Sequence, residues 1–178
     1  MAMLPDGDPL QQDVDAIARI AAVPTILRVV AETTGLRFAA VARVTKDRWV
    51  CCAVHDGLAF GLVPGGTLDV TTTLCAQVRD TLETVVIDHA SQDPAFCGHI
   101  TPKMYGFESY ISVPIFLSDG AYFGTICGLD PLPAQLNQPK ILSQLSLFAE
   151  RISLSGEAEQ RDEATRSAKR RLESFVMG

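Results

Sequence analysis

The sequence predicts an α+β domain in which a single antiparallel sheet carries helices on one face. The β-prone segments come in two pairs, each joined by a short polar turn, TKDR in the first pair and LSDG in the second. Such pairs are typical of antiparallel hairpins. The strongest helical periodicities lie near the two ends of the chain, as in α+β proteins, where helices are segregated from the sheet. The 178 residues, of which 47% are hydrophobic, suffice for one domain with terminal extensions.

The first elements are two helices and a hairpin. QQDVDAIARIAAV has apolar residues at helical spacing. Pro24 predicts the start of a second helix, because proline fits the first turn of a helix and not its interior. Gly35 predicts the end of that helix. The strands 38–44 and 49–54 form the hairpin, and LAFGLVPGGTLDV is predicted to be a loop with a turn at PGG.

The second half predicts a helix in TTTLCAQVRDTLE, a short strand in TVVIDHA and two strands in SYISVPIFLSDGAYFGTICGLDP. Residues 91–108 are predicted to be irregular, with one short helix. QPKILSQLSLFAERISL predicts an amphipathic helix, and its apolar stripe consists of Leu142, Leu145, Phe148 and Ile152.

Composition excludes several classes of function. The formal net charge is −6, from 15 basic and 21 acidic residues, so the chain lacks a basic surface for nucleic acid or an anionic membrane. No apolar run approaches the about 18 residues of a membrane-spanning helix. The first residues, MAMLPDGDPLQQD, lack the basic and apolar regions of a signal peptide. We therefore predict a cytoplasmic protein.

The five cysteines are odd in number and include no C-x-x-C pair. This pattern predicts reduced thiols and no zinc site. Four of them lie in predicted strands or on the apolar face of a predicted helix and are interpreted as space-filling residues: Cys51, Cys52, Cys75 and Cys127. Cys97 differs from them, because it lies in the irregular segment two residues before His99.

Three stretches between residues 24 and 155 resemble the GAF domain, a family of sensory modules in bacterial kinases, cyclic-nucleotide enzymes and phytochromes. TTLCAQVRDTLETVVIDHASQDPAF is similar to the central helix, strand and turn of the family. YISVPIFLSDGAYFGTICGLDPLPAQL is similar to its two late strands, and QPKILSQLSLFAERIS to its last helix. The resemblance implies a GAF-like antiparallel sheet of about five or six strands, with terminal helices on one face. On the other face it implies a ligand pocket, whose roof is residues 91–108.

The resemblance also suggests a cofactor. Cyanobacteriochromes, which are bilin-binding members of the family, attach a linear tetrapyrrole through a roof cysteine shortly before the strand that contains Val-Pro. Cys97 lies at a closely similar offset before YISVPI. The resemblance thus implies a bilin attached at Cys97, although Gly98 separates this cysteine from His99, which departs from the family pattern. The cofactor-binding residues would be Cys97 and His99, with aromatic walls from Tyr105, Phe107, Tyr110 and Trp49.

Catalysis is not predicted. The nucleophile elbow, the phosphate-binding loop and the dinucleotide-binding glycine pattern are all missing from the sequence. A catalytic cysteine also needs a base held by a third group. One branch of the family reduces free methionine sulfoxide through cysteines, and only Cys75, Cys97 and Cys127 are placed to serve that chemistry here. We therefore predict that the chain is not an enzyme and holds no metal.

The predicted function is sensory input in bacterial signal transduction. We divide the chain into an N-terminal helical extension (1–23), a GAF-like sensory domain (24–155) and a charged helical linker (156–178) to an output domain. A bilin at Cys97 would make the domain a photoreceptor. Two alternatives stay open, a non-covalent sensor of a cyclic nucleotide or metabolite and a ligand-free dimerisation scaffold. The apolar faces of residues 14–23 and 142–154 predict a homodimer.

Overall fold

A computed structural model describes residues 1–177 and confirms the α+β class. Its sheet has seven antiparallel strands in the order β1-β4-β3-β2-β7-β6-β5, slightly more than the five or six predicted. The strands are β1 (Ala2–Met3), β2 (Phe38–Val44), β3 (Trp49–Asp56), β4 (Gly66–Leu68), β5 (Val85–Ile87), β6 (Ser109–Phe116) and β7 (Tyr122–Asp130).

The helices are α1 (Gln11–Ala18), α2 (Val23–Thr34), α3 (Cys75–Thr81), α4 (Ile100–Tyr105) and α5 (Pro139–Val176). The second helix has Pro24 in its first turn and ends at Gly35, whose φ of 76° is left-handed. Both features agree with the sequence prediction, because glycine adopts this conformation without a steric cost.

The central strands β2, β6 and β7 are buried on both faces, and their alternating side chains divide the interior into two cores. Ala39 and Val41 face one core, in which α1, α2 and α5 cover the sheet. Ala40 and Ala42 face the other core, which lies between the sheet and α3 together with residues 90–107. A period of two along each strand produces this division.

Two strands were missed in the sequence. β4 lies inside the segment that was predicted to be a loop, and β1 lies in the N-terminal extension. They pair with each other, and β4 also pairs with β3, where Trp49 lies opposite Leu68. Strands of two or three residues are too short to show a periodicity. They form because the edge of β3 offers free backbone hydrogen-bonding groups.

The last helix, α5, is continuous over 38 residues and runs through the predicted boundary at residue 155 without interruption. Its buried residues differ in part from the predicted stripe: Ile141, Leu145, Ala149, Ile152 and Ser153 are buried, whereas Leu142 and Phe148 are only partly buried. The three-part division of the chain stays a prediction. No helix within residues 1–177 is long and apolar enough to cross a membrane.

One ion pair joins the start of β2 to the end of β7. The carboxylate of Asp130, which is 3% exposed, accepts hydrogen bonds from the Arg37 backbone N–H at 3.0 Å, from Nε at 2.8 Å and from Nη2 at 2.9 Å. It also accepts the backbone N–H of Leu132. The Arg37 guanidinium holds the pKa of Asp130 below its usual range. The pair therefore fixes where β7 ends.

Replacing Asp130 by Asn should destabilise the fold by about 1–3 kcal/mol at pH 7, because the Arg37 guanidinium and two backbone N–H groups lose a charged acceptor that is itself buried. A carboxylate with a lowered pKa contributes stability above its unfolded pKa, near 4, and loses it as the pH falls through the folded value. The difference between wild type and Asp130→Asn, measured by urea unfolding, should therefore shrink below about pH 4. The exposed carboxylate variant Asp162→Asn is the control, and a difference that persists at acid pH would contradict the assignment.

Candidate functional site

The candidate site is a cavity between the sheet and the segments that cover its second face. Its volume is about 40 Å³ and its lining is almost entirely apolar. The sheet contributes Trp49, Tyr110 and Cys127, and the first residues of α3 contribute Leu74 and Cys75. A volume of this size holds a few water molecules, since one water needs roughly 10–15 Å³ of such space.

The roof, residues 91–108, closes this cavity with Thr101, Tyr105 and Phe107. Thr101 Oγ1 donates a hydrogen bond of 2.8 Å to the carbonyl of Thr72, and the hydroxyls of Tyr105 and Thr72 are hydrogen-bonded to each other. Thr72 belongs to a short 3-10 helix, Val70–Thr72, directly before α3. The roof is thus held at α4 by two polar contacts to one residue.

The segment after β3 forms a further wall, with Phe60 and Leu62 in the lining. It is shaped by the Asp56 carboxylate, which accepts backbone N–H groups of Leu58, Phe60 and Gly61 at 2.9–3.0 Å. A carboxylate with three such donors is favoured in its charged form, and these hydrogen bonds lower the pKa of Asp56 although burial opposes them.

A cluster of thiol and hydroxyl groups lies at the bottom of the cavity. Cys75 Sγ is 3.2 Å from Tyr110 Oη, 3.2 Å from Thr125 Oγ1 and 3.6 Å from Ser112 Oγ. Cys127 is a neighbour of both Ser112 and Thr125. It lies opposite Ser112 in the β6–β7 register and two residues after Thr125. All five residues are buried.

Hydrogen bonds decide which thiol of the cluster ionises. The neighbouring Cys127 thiol is the largest influence that lowers the pKa of Cys75. Burial opposes it, and the hydroxyls of Thr125 and Tyr110 lower the pKa further. The same partnership, together with burial, raises the pKa of Cys127. Burial also raises the pKa of Tyr110, so its hydroxyl keeps its proton. The negative charge is therefore favoured on Cys75.

One donor in the cavity wall lacks an acceptor. Trp49 is 3% exposed, and its Nε1–H has no hydrogen-bond partner within the described residues. The indole approaches Cys75 closely enough to lower the pKa of that thiol, but without hydrogen-bond geometry. A buried N–H without a partner costs about 1–3 kcal/mol. An acceptor on a bound molecule would remove this cost.

The structure brings four of the six predicted site residues together. Trp49, Tyr105, Phe107 and Tyr110 all line the cavity, and the rings of Phe107 and Tyr110 stack with centroids 5.2 Å apart. The aromatic walls suggested by the resemblance are thus assembled around one space.

Cys97 and His99 lie elsewhere. They line an outer groove of about 340 Å³, which shares Phe107 with the cavity. Cys97 is exposed, and His99 Nδ1 accepts the backbone N–H of Thr101 at 3.2 Å, which makes it the N-cap of α4. The role of Cys97 in attaching a bilin stays a prediction.

Sequence reasoning missed the thiol cluster. Cys75 and Cys127 were interpreted as space-filling residues, because each lies in an apolar run. A signal was present: Thr125 and Cys127 are two residues apart on one strand and so share a face. Placing Cys75 against that face required the packing of α3, which a single sequence does not contain.

Comparison with solved structures relates this fold to sensors and to enzymes. The chain is similar to the free methionine-R-sulfoxide reductase of Neisseria meningitidis, with 22% identity, a TM-score of 0.60 and coverage of 84% of this chain and 82% of that one. It is also similar to the GAF domain of an Acinetobacter phosphoenolpyruvate-protein phosphotransferase, with 17% identity, a TM-score of 0.61 and coverage of 86% and 98%. The PixJ GAF domain of Thermosynechococcus elongatus, in its blue-light absorbing form, gives 13% identity, a TM-score of 0.67 and coverage of 89% and 95%.

These neighbours correct one prediction. The chain was predicted not to be an enzyme, because known catalytic motifs are missing. That prediction is wrong as drawn, since a methionine-R-sulfoxide reductase has the same fold. Motif absence therefore does not exclude catalysis on this scaffold. At 22% identity the likeness concerns the fold and does not transfer the reaction.

The family comparison agrees with the resemblance in the sequence. The GAF domain family matches residues 18–155, which is more than three quarters of the chain and includes the whole cavity lining. No curated protein sequence matches significantly. The chain belongs to the GAF domain family.

Proposed function

We propose that this chain is a sensory input domain that binds a small ligand in the cavity below residues 91–108. The observation that carries the proposal is an apolar cavity whose wall contains the unpaired N–H of Trp49. Ligand pockets combine apolar walls with a few placed polar groups. The proposed ligand is therefore mostly apolar or aromatic, with a hydrogen-bond acceptor directed at Trp49.

The size of the cavity supports a coupling between binding and movement. About 40 Å³ holds a few water molecules, so a metabolite or a cyclic nucleotide enters only if the roof moves outward. The roof is attached at α4 through Thr72, and Gly106, with a φ of 69°, ends α4. A ligand that binds the open form better than the closed form shifts the population towards the open one.

A chain of backbone contacts connects the roof to the start of α5. The backbone N–H of Ala90, at the edge of the roof, donates to the carbonyl of Glu108 at 2.7 Å. Asp88, two residues earlier, accepts N–H groups from Ala134 at its carbonyl and from Leu136 and Asn137 at its carboxylate. These contacts hold residues 134–137, which lead directly into α5. Displacement of the roof would thus reach the helix that leaves the sheet.

The role of Trp49 is tested by replacing its indole with a phenyl ring, which removes the N–H and makes the side chain smaller. In Trp49→Phe we expect the affinity for the ligand to fall about five- to tenfold, equivalent to roughly 1–1.4 kcal/mol, because one hydrogen bond is lost. The ligand is first identified by native mass spectrometry of the purified protein and then titrated back by calorimetry.

Tyr122→Phe is the matched control for this titration. The hydroxyl of Tyr122 is also buried without a partner in the described chain, but Tyr122 does not line the cavity. Equal losses in both variants would contradict a ligand at Trp49. A protein that carries no small molecule and responds to none would instead favour the ligand-free scaffold.

A bilin at Cys97 is the second candidate. It is supported by the exposed position of Cys97 and by the likeness to the PixJ GAF domain. The groove beside Cys97 shares Phe107 with the cavity. A tetrapyrrole attached there would reach the cavity only if the roof near Phe107 moved aside, because the cavity itself holds only a few waters.

Co-expression with a bilin-producing pathway tests this candidate. A covalent bilin should give visible absorbance and zinc-dependent fluorescence on a denaturing gel, lost in Cys97→Ala and kept in Cys75→Ala, because only the exposed thiol is open to a bulky electrophile. Colourless protein from a strain that makes bilin would exclude it.

We also propose a homodimer through α5. The apolar faces on which the dimer was first predicted pack within the chain, as Ile17 and Ile152 show at 3% and 0% exposure. The exposed residues are instead Leu147 and Leu154, at 62% and 52%, seven positions apart, as in a helical seam.

The double variant Leu147→Glu with Leu154→Glu should be monomeric by analytical ultracentrifugation, because charges would be buried in that seam. Lys140→Glu, an exposed change at the start of α5, should leave the dimer intact. A double variant that still dimerises with unchanged affinity would exclude this seam.

A further inference from the structure

Two thiols that the proposed ligand site does not need meet at the bottom of the cavity. Cys75 is the first residue of α3, and Cys127 lies in the middle of β7. Ser112, directly opposite Cys127 in the sheet, has its Oγ 3.6 Å from Cys75 Sγ. Thr125, which precedes Cys127 by two residues on the same face of β7, has its Oγ1 3.2 Å from Cys75 Sγ. The two sulfurs are therefore neighbours, although their residues are far apart in the sequence.

The surroundings of Cys75 differ from those of an inert buried cysteine. Cys51 provides the comparison: burial raises its pKa to about 12, and within residues 1–177 its thiol has one hydrogen-bond partner, the carbonyl of Ala53 at 3.7 Å. Cys75 instead has the hydroxyls of Tyr110 and Thr125 at 3.2 Å. Hydroxyl donors stabilise a thiolate, which is the nucleophilic form of cysteine.

The cavity limits the size of the molecules that can reach these two thiols. Both Cys75 and Cys127 line it, and its volume is about 40 Å³. Hydrogen peroxide is only slightly larger than water and fits such a space, since roughly 10–15 Å³ suffices for one water. A bulky hydroperoxide or a thiol peptide does not fit. The exposed Cys97 has no such restriction.

We propose that Cys75 and Cys127 are a peroxide-reactive thiol pair that closes a disulfide inside the cavity. Cys75 sulfur attacks one oxygen of hydrogen peroxide, so that an S–O bond forms and the O–O bond breaks. The leaving hydroxide takes the proton of the Cys75 thiol and departs as water. Cys127 sulfur then attacks the Cys75 sulfenic acid, an S–S bond forms, and the hydroxyl departs with the Cys127 proton as a second water. Two electrons pass from the thiols to the peroxide.

The disulfide would tie the first turn of α3 to the central strand β7. The 3-10 helix directly before α3 contains Thr72, which holds the roof through Thr101. Oxidation thus acts on the same contact that holds the cavity closed. The thiol reaction itself does not rest on the proposed ligand, and it occurs whether or not the cavity takes a metabolite.

The test treats the full chain with hydrogen peroxide at neutral pH and maps the products. Free thiols are alkylated after denaturation, and peptides are identified by mass spectrometry. We expect a Cys75–Cys127 cross-link that dithiothreitol reverses, with Cys75 oxidised about tenfold faster than Cys97, because the hydroxyls of Tyr110 and Thr125 stabilise the Cys75 thiolate. The bulky tert-butyl hydroperoxide should react with Cys97 first.

Variants separate the two steps. In Cys127→Ser the Cys75 sulfenic acid should accumulate and be trapped by dimedone, because its resolving thiol is gone. Cys51→Ser and Cys97→Ser should leave the cross-link unchanged. Oxidation at Cys97 alone, or a cross-link that requires Cys51 or Cys97, would overturn the proposal. Mapping the oxidation products of the wild-type chain tests the thiol pair even where a variant fails to fold. This result does not depend on the ligand titration.

Discussion

The cavity depends on the aromatic side chains that pack between one face of the sheet and the roof. Ala40, Ala42, Ser112 and Cys127 lie on that face, and all are almost fully buried. On the opposite face of the same sheet, larger residues such as Ile126 pack against the helices, and the pocket left there, beside Ile115 and Phe123, is smaller, about 20 Å³. Protein interiors are normally filled to near crystal density. Aromatic side chains of the sheet and the roof, with Cys127 as a small sheet residue among them, therefore leave the space that the site uses.

The same arrangement separates two chemically different parts of the site. Inside the roof lie an unpaired indole N–H and two neighbouring thiols, in an apolar space that admits small molecules. Outside the roof, Cys97 lies in an open groove. Phe107 belongs to both spaces. Phe107 stacks on Tyr110, so the roof is packed against the sheet. A ligand bound on either side of the roof would therefore contact the same side chain.

Much of the fold was predictable from local patterns. Pro24 and Gly35 set the limits of α2, and the polar turns TKDR and LSDG set the two hairpins, because these signals act over a few residues. β1 and β4 were not predictable, since strands of two or three residues form only through their partners. In the site, the aromatic residues were found through the family resemblance. The pairing of Cys75 with Cys127 was not, because it depends on how α3 packs across the sheet.

The most direct test of the account is a crystal structure of the protein under xenon pressure, since xenon binds dry apolar cavities without specific chemistry. The account predicts one xenon atom between Trp49, Cys75 and Tyr105, with the roof in place. It predicts none in the outer groove beside Cys97, which is open to solvent. A structure in which Trp49 or Tyr105 rotates to fill the space, with xenon excluded, would contradict the claim that the aromatic side chains of the sheet and the roof maintain a binding cavity.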